Sequence, residues 1–150
     1  MATRSRIGLL MTDGSVLSSY HHWDGYPSWL GVTLEDKFNT KDSVSELIDG
    51  GDMSSCDSDT DWDRNKIDGP SRPQYYSERG EDCPPRLDSD LEEFLTNDTE
   101  EYHYLFNPTT DKWTCYEFFY GDTGFFRSID FPEVSVKEVE IKDKMNMRDN

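Results

Sequence analysis

Two short apolar runs open the chain, "RIGLLM" and "SVLSSYHHW", and they flank Asp13-Gly14. Asp-Gly between apolar runs predicts a hairpin with a two-residue loop, because both turn residues need positive φ. That register sets Met11 opposite Val16, Leu9 opposite Ser18 and Ile7 opposite Tyr20 on a core face. The other face pairs Leu10 with Leu17, Gly8 with Ser19, Arg6 with His21 and Arg4 with Trp23. Neighbouring residues of a strand point to opposite faces, so His21 and His22 cannot serve one site while the strand stays regular.

The period then changes. "SWLGVTLEDKF" spaces Leu30, Leu34 and Phe38 four apart, which predicts a helix capped by Ser28. A second helix follows, with Thr40 as its cap, capping-box spacing from Ser43 to Glu46, an apolar stripe of Val44, Leu47 and Ile48, and a stop at Gly50-Gly51. From about residue 52 to 88 periodicity fades into Ser, Asp, Pro and Gly. This reads as an acidic irregular insertion, anchored locally by Trp62, Tyr75 and Tyr76. "SDLEEFLTND" predicts a short helix from near Ser89. "YHYLF" and "KWTCYEFFY" around "NPTTD" predict a second hairpin. Gly121 and Gly124 predict another turn before "FFRSIDF", and "EVSVKEVEIK" predicts a further strand. The sum is one α+β domain over 1–150: an antiparallel sheet of about five strands built from two hairpins, with two or three helices packed on one face.

Composition changes this picture in one respect. Hydrophobic residues make up 33% and charged residues 31% of the 150, so the core must lean on four Trp, eight Tyr and eight Phe. The net charge is −17 and uneven. Residues 49–101 hold seventeen acids against five bases, whereas 1–48 hold six against four and 102–150 nine against six. Such a field repels nucleic acid and argues against direct binding to it; it suits a basic protein surface, a cation or solubility. No apolar stretch approaches membrane-spanning length, and the amino-terminal run is too broken for a signal peptide. Three cysteines without a CxxC pair fit a reducing cytoplasm rather than a disulfide framework or a zinc site.

The candidate chemistry gathers in "YHHWDGYP". His21, His22 and Asp24 are the types that ligate zinc, manganese or iron, and Asp24 could orient a histidine as general base. His22 and Asp24 with His103 are the candidate metal ligands, and His21, His22 and Asp24 the candidate catalytic set. The competing reading makes the stretch a strand-to-helix corner, with Asp24 forming a turn into Gly25-Tyr26-Pro27. "DSDTDWDRNKID" puts aspartates at positions 1, 3, 5, 7 and 12, the spacing of an EF-hand loop, but Trp62 stands where that loop bends on Gly and Asp68 where it has Glu. Beyond such a divalent cation, no cofactor is implied. Phosphate loops, nucleophile elbows and basic-aromatic patches are absent from the sequence.

"TRSRIG", "DGSV", "YHHWDGYP", "SELIDGGDMSS", "EYHYLF" and "KWTCYEFF" resemble a group of small proteins encoded by phages and prophages, which share a Y-x-H-W-D-G-Y-P box. Similar proteins tend to carry Cys where this chain has His21, which speaks against a role that needs imidazole there. The resemblance implies action in the host cytoplasm during infection. With the charge distribution it leads to a first expectation, an acidic protein that binds a host protein with a basic surface, as a nucleic-acid mimic or defence inhibitor. Arg4, Arg6, His21, Trp23, Asp57, Asp59, Asp61 and Asp63 would form the binding surface. Alternatives are a small metal-dependent hydrolase using the His21/His22/Asp24 corner and a minor virion component.

Overall fold

A computed structural model describes residues 2–119 and 135–139. The elements in order are β1 (Ser5–Leu10), β2 (Val16–His21), a π-helical turn (Pro27–Gly31) running into α1 (Val32–Lys37), α2 (Lys41–Asp49), β3 (Met53–Ser58), β4 (Arg72–Tyr75), a 3₁₀ turn (Tyr76–Arg79), β5 (Arg86–Asp88), α3 (Leu91–Thr96), β6 (Tyr102–Asn107), β7 (Lys112–Phe119) and β8 (Ser135–Val139). The strands form one sheet ordered β4-β3-β2-β1-β6-β7-β8, with β5 paired to β2 off that path.

Both expected hairpins form, but the sheet is mixed and larger than predicted. β1 pairs with β6 in parallel, and so does β2 with β3 at His21 and Met53. The outer edge of β2 is divided: its first half pairs with β5 (Val16 to Ser18 against Asp88 to Arg86), and its end meets β3.

The first hairpin sits one residue away from its predicted register. Met11 N–H donates to Ser15 O at 2.8 Å and Gly14 N–H to Met11 O at 3.1 Å. The loop therefore holds Thr12, Asp13 and Gly14, with Gly14 left-handed at φ +88°. This is the three-residue alternative to the tight Asp-Gly turn. Ser5 consequently faces His21, and Leu10 faces Val16. A slip of one residue exchanges the two faces of β2. His21, expected outward beside Arg6, lies on the core side opposite Ser5.

Each face of the sheet has its own cover. Ile7, Leu9, Tyr104, Phe106 and Cys115 pack against Leu30, Leu34, Val44, Leu47 and Ile48, joined by Met53 and Cys56. On the reverse face Val16 and Leu105 pack against Phe94 and Leu95 of α3. Helices cover both faces, not one. Leu30 and Leu34 are buried as their spacing implies, but the helical run begins with Pro27 at its first turn and Tyr26, rather than Ser28, at its cap. Thr40 and Ser43 form a reciprocal capping box at α2. Its Val44, Leu47 and Ile48 are each closed to solvent, worth roughly 1.5–3 kcal/mol apiece.

The stretch from 52 to 88 is not the irregular insertion that its composition suggested. It supplies β3, β4, the 3₁₀ turn and β5. Met53 and Cys56 are core residues. The Tyr75 hydroxyl donates to Leu47 O at 2.7 Å, and Trp62 Nε1–H to Tyr75 O at 3.0 Å, so the tract is tied to α2 and to itself. The predicted late strand is found as β8, while the turn expected at Gly121 and Gly124 lies outside the described residues.

Candidate functional site

The chain leaves β2 through a corner fixed by its backbone. His22 N–H donates to Met53 O at 3.2 Å and Trp23 N–H to Ser54 O at 2.9 Å, extending the junction with β3. Asp24 then turns left-handed at φ +54°, a conformation that Asp tolerates better than most residues. Gly25 N–H donates to Thr3 O at 2.9 Å, and Gly25 O accepts from the buried Tyr104 hydroxyl at 2.7 Å. A Cβ on Gly25 would meet Thr3 O and the Ser5 side chain, so the corner closes only on glycine.

The side chains of the corner diverge. His21 is fully buried, and its Nε2 accepts from Cys56 N–H at 3.0 Å. The ring proton therefore sits on Nδ1, which has no hydrogen-bond partner among the described residues. Burial, helped by His22, pushes the His21 pKa down to about 3, so the ring is neutral. His22 points the other way, and its Nδ1 shares a hydrogen bond with the Tyr20 hydroxyl at 2.6 Å. Burial and then the charge of Arg4 lower its pKa. Its ring meets Trp23 edge-on at 4.6 Å. Trp23 is 48% exposed, and Asp24 is exposed beside it. His103 belongs to β6 on the α3 side and binds Asp98. His21, His22, Asp24 and His103 thus face separate surroundings. Among the described residues no three His, Cys, Asp or Glu side chains gather as metal ligands.

The α3 side of the sheet holds a second polar centre. Arg6, expected on a solvent-facing surface, is buried; its Nε and Nη2 donate to Ser18 Oγ and O at 2.9 and 3.1 Å. Asp98 lies 4.0 Å from Arg6 Nε, 2.9 Å from Arg86 Nη2 and 2.9 Å from His103 Nε2. Arg86 also pairs with buried Asp88 at 2.8 Å, which accepts from Asn97 Nδ2 at 2.9 Å. Burial works to raise the Asp98 pKa, but the hydrogen bond and charge of His103, the Glu100 N–H and Arg86 outweigh it and hold the carboxyl at about 2. Glu100 has no such bonds. Burial and the Asp98 charge push it up to about 7. Sequence reading missed Arg86, Asp88, Asp98 and Glu100, because they lie among many solvated charges. The available signal was Arg6 itself, a cation within a strand of core residues.

The spaced aspartates fold a hairpin. Asp57 pairs with Lys37 at 2.7 Å. Burial opposes its ionisation, yet Lys37 and Ser71 keep the carboxyl below its usual range. Asp61 accepts from the N–H groups of Asp63 and Asn65, each at 2.9 Å, inside a loop closed by the Thr60–Lys66 bridge. Asp59 and Asp63 are exposed and carry the tract's charge outward, as does Asp68. Arg79 lies 4.1 Å over the Trp62 ring and 5.2 Å from Tyr76 while pairing with Glu81 at 2.6 Å. Arg4 is exposed at the start of β1.

No helix of the described residues is long and apolar enough to cross a membrane. No protein-family model, no curated protein and no solved structure matches the chain.

Proposed function

We propose that this chain is an interaction protein that binds a basic, nucleic-acid-handling protein, with fixed carboxylates standing where phosphates would. The observation that carries this reading is the position of the acidic tract in the connection between the paired strands β3 and β4 at a sheet edge, folded back by the Thr60–Lys66 bridge and the Asp61 hydrogen bonds, instead of on a loose tail. Carboxylates held at fixed spacing lose little entropy when a partner docks. Like charges along the tract add a field that speeds encounter and is screened by salt. The resemblance to phage-encoded proteins supplies the setting, a host protein in the cytoplasm of an infected cell.

The test must spare aspartates used inside the fold. Asp57 and Asp61 are so used, whereas Asp59, Asp63 and Asp68 are exposed. The triple variant Asp59→Asn, Asp63→Asn, Asp68→Asn keeps shape and removes three charges. Protein captured from host lysate at low salt should be enriched in basic, nucleic-acid-binding species, and each capture should weaken in the triple variant with a shallower salt dependence. Captures with no basic bias, or equal affinity of both forms across the salt series, would overturn the reading.

A further inference from the structure

The corner after β2 presents two side chains that the fold does not use. Trp23 is 48% exposed, one of three large apolar side chains so exposed among the described residues. Asp24 is exposed beside it and holds a left-handed backbone, one of three non-glycine residues to do so among the described residues. Left-handed backbone costs a residue with a Cβ roughly 1–2 kcal/mol, and such outliers persist where the surroundings over-determine them. Here they do. The backbone on both sides is fixed by hydrogen bonds to Met53, Ser54, Thr3 and Tyr104, and the indole packs perpendicular to the His22 ring at 4.6 Å. Tyr20 in turn holds the His22 ring. The result is a corner with a fixed backbone that presents an exposed indole and, at the next residue, an exposed carboxylate.

We propose that the Trp23–Asp24 corner is the docking point for an arginine of a basic partner, the indole taking the guanidinium plane and the Asp24 carboxylate its N–H groups. The inference rests on the proposed function and names its hot spot. Charge complementarity selects the occupant: a chain of net charge −17 favours a cationic segment. Arginine fits better than lysine because its planar fork stacks on an aromatic ring while its N–H groups reach a carboxylate. The chain uses the same combination internally, where Arg79 lies over Trp62 and pairs with Glu81. A Trp side chain has only two side-chain torsions, so little freedom is lost on binding. Trp and Arg are also the residues that dominate interface hot spots. Arg4, whose charge reaches His22 and Glu100, opposes an incoming cation and tunes the site downward.

The probe is a fluorescein-labelled alternating Gly-Arg decapeptide, read by anisotropy against the whole chain at low and moderate salt. A Gly-Lys peptide serves as comparison. Trp23→Ala should weaken Gly-Arg binding about tenfold with an unchanged salt slope. Asp24→Asn, which keeps a residue tolerant of the left-handed backbone, should weaken it severalfold. Arg4→Ala should tighten it. The triple variant at Asp59, Asp63 and Asp68 should instead make the salt dependence shallower. Melting temperatures of all variants within a few degrees of wild type would confirm that folding is not the cause, and Trp23→Phe, with a weaker π face, should fall between wild type and Trp23→Ala. If Trp23→Ala and Asp24→Asn bind like wild type while the triple variant loses affinity, the corner is overturned and the electrostatic reading survives. Equal affinity for the two peptides would overturn the choice of arginine. A wild-type chain that binds neither peptide at low salt would overturn both proposals.

Discussion

His21 and His103 are equally closed to solvent, yet they face opposite sides of one sheet and meet opposite chemistry. His21 lies among Trp29 and the α1–α2 core, with a single hydrogen bond from Cys56 N–H. His103 sits edge-on between Phe94 and Phe118 but donates to the ionised Asp98, which also faces Arg86 and Arg6. Equal burial has therefore produced two different roles. One imidazole is a neutral acceptor that completes a strand junction. The other is a fixed donor in a buried ionic cluster. What separates them is whether a countercharge is within reach, not how much water is excluded.

The largest effect should come from breaking the ionic side. Asp98→Ala leaves buried Arg6 and His103 without their anion, while Arg86 keeps Asp88, so unfolding by urea should show a loss of about 3 kcal/mol. A loss below about 1 kcal/mol would mean that the guanidinium groups find solvent instead.

The apolar side is sharpened by pH. The folded His21 pKa of about 3 lies below the ordinary 6.5. The unfolded chain therefore takes up the proton first, and this contribution to stability is complete above pH 6.5 and lost as pH falls toward 3. The slope approaches about 1.4 kcal/mol per pH unit in that window. His21→Gln should lower stability at pH 7 but flatten the slope. An unchanged slope would place the acid sensitivity elsewhere.

Glu100 gives the smaller, opposite signal. Its folded pKa of about 7 lies above the ordinary 4.5, so the folded state holds the proton longer. That contribution is complete below pH 4.5 and disappears as pH rises through 7. Because the group is partly exposed, screening reduces it. Glu100→Gln should raise stability at pH 8 relative to pH 5, as melting curves at the two values would reveal. Smallest of all, the triple asparagine variant should change stability by less than about 0.5 kcal/mol, since Asp59, Asp63 and Asp68 lie outside both buried centres.

Sequence reading located what depends on local chemistry. The two hairpins, the Thr40 cap, the buried stripe of α2 and the short helix after Asp90 follow from neighbouring residues, and they are present, although the capping box joins Thr40 to Ser43 rather than Ser43 to Glu46. It missed what depends on one extra residue or on distant partners. Asp13-Gly14 is compatible with a two- or a three-residue loop, and that single choice decides which face His21 occupies. β3 is short and rich in Ser and Asp, so its alternation is faint, although Met53 and Cys56 both reach the core. β4 contains Pro73 and lies at the sheet edge, where proline is tolerated but propensity is uninformative. The ionic cluster joins residues from β1, β5, β6 and the loop after α3, and no local pattern announces such a meeting. The divergence of His21 and His22 was legible from strand alternation, but which of the two turns into the core was not, because that follows from the hairpin register.

The parallel pairing of β1 with β6 has a consequence for how the protein is made. Ser5 meets Tyr102, so β1, which leaves the ribosome before the other described strands, waits for a neighbour almost a hundred residues later. At roughly 5–20 residues per second, one margin of β1 stays open for about 5–20 s during synthesis. Open strand margins attract other nascent chains, and cationic side chains discourage such pairing. Arg6 is one of the residues on that margin, and it becomes buried only in the finished fold. Stalled nascent chains that end before β6 should be cut readily by protease within β1 and β2, whereas chains extended through β7 should resist. Protection that arises before β6 emerges would mean that the first hairpin is stable without its parallel neighbour.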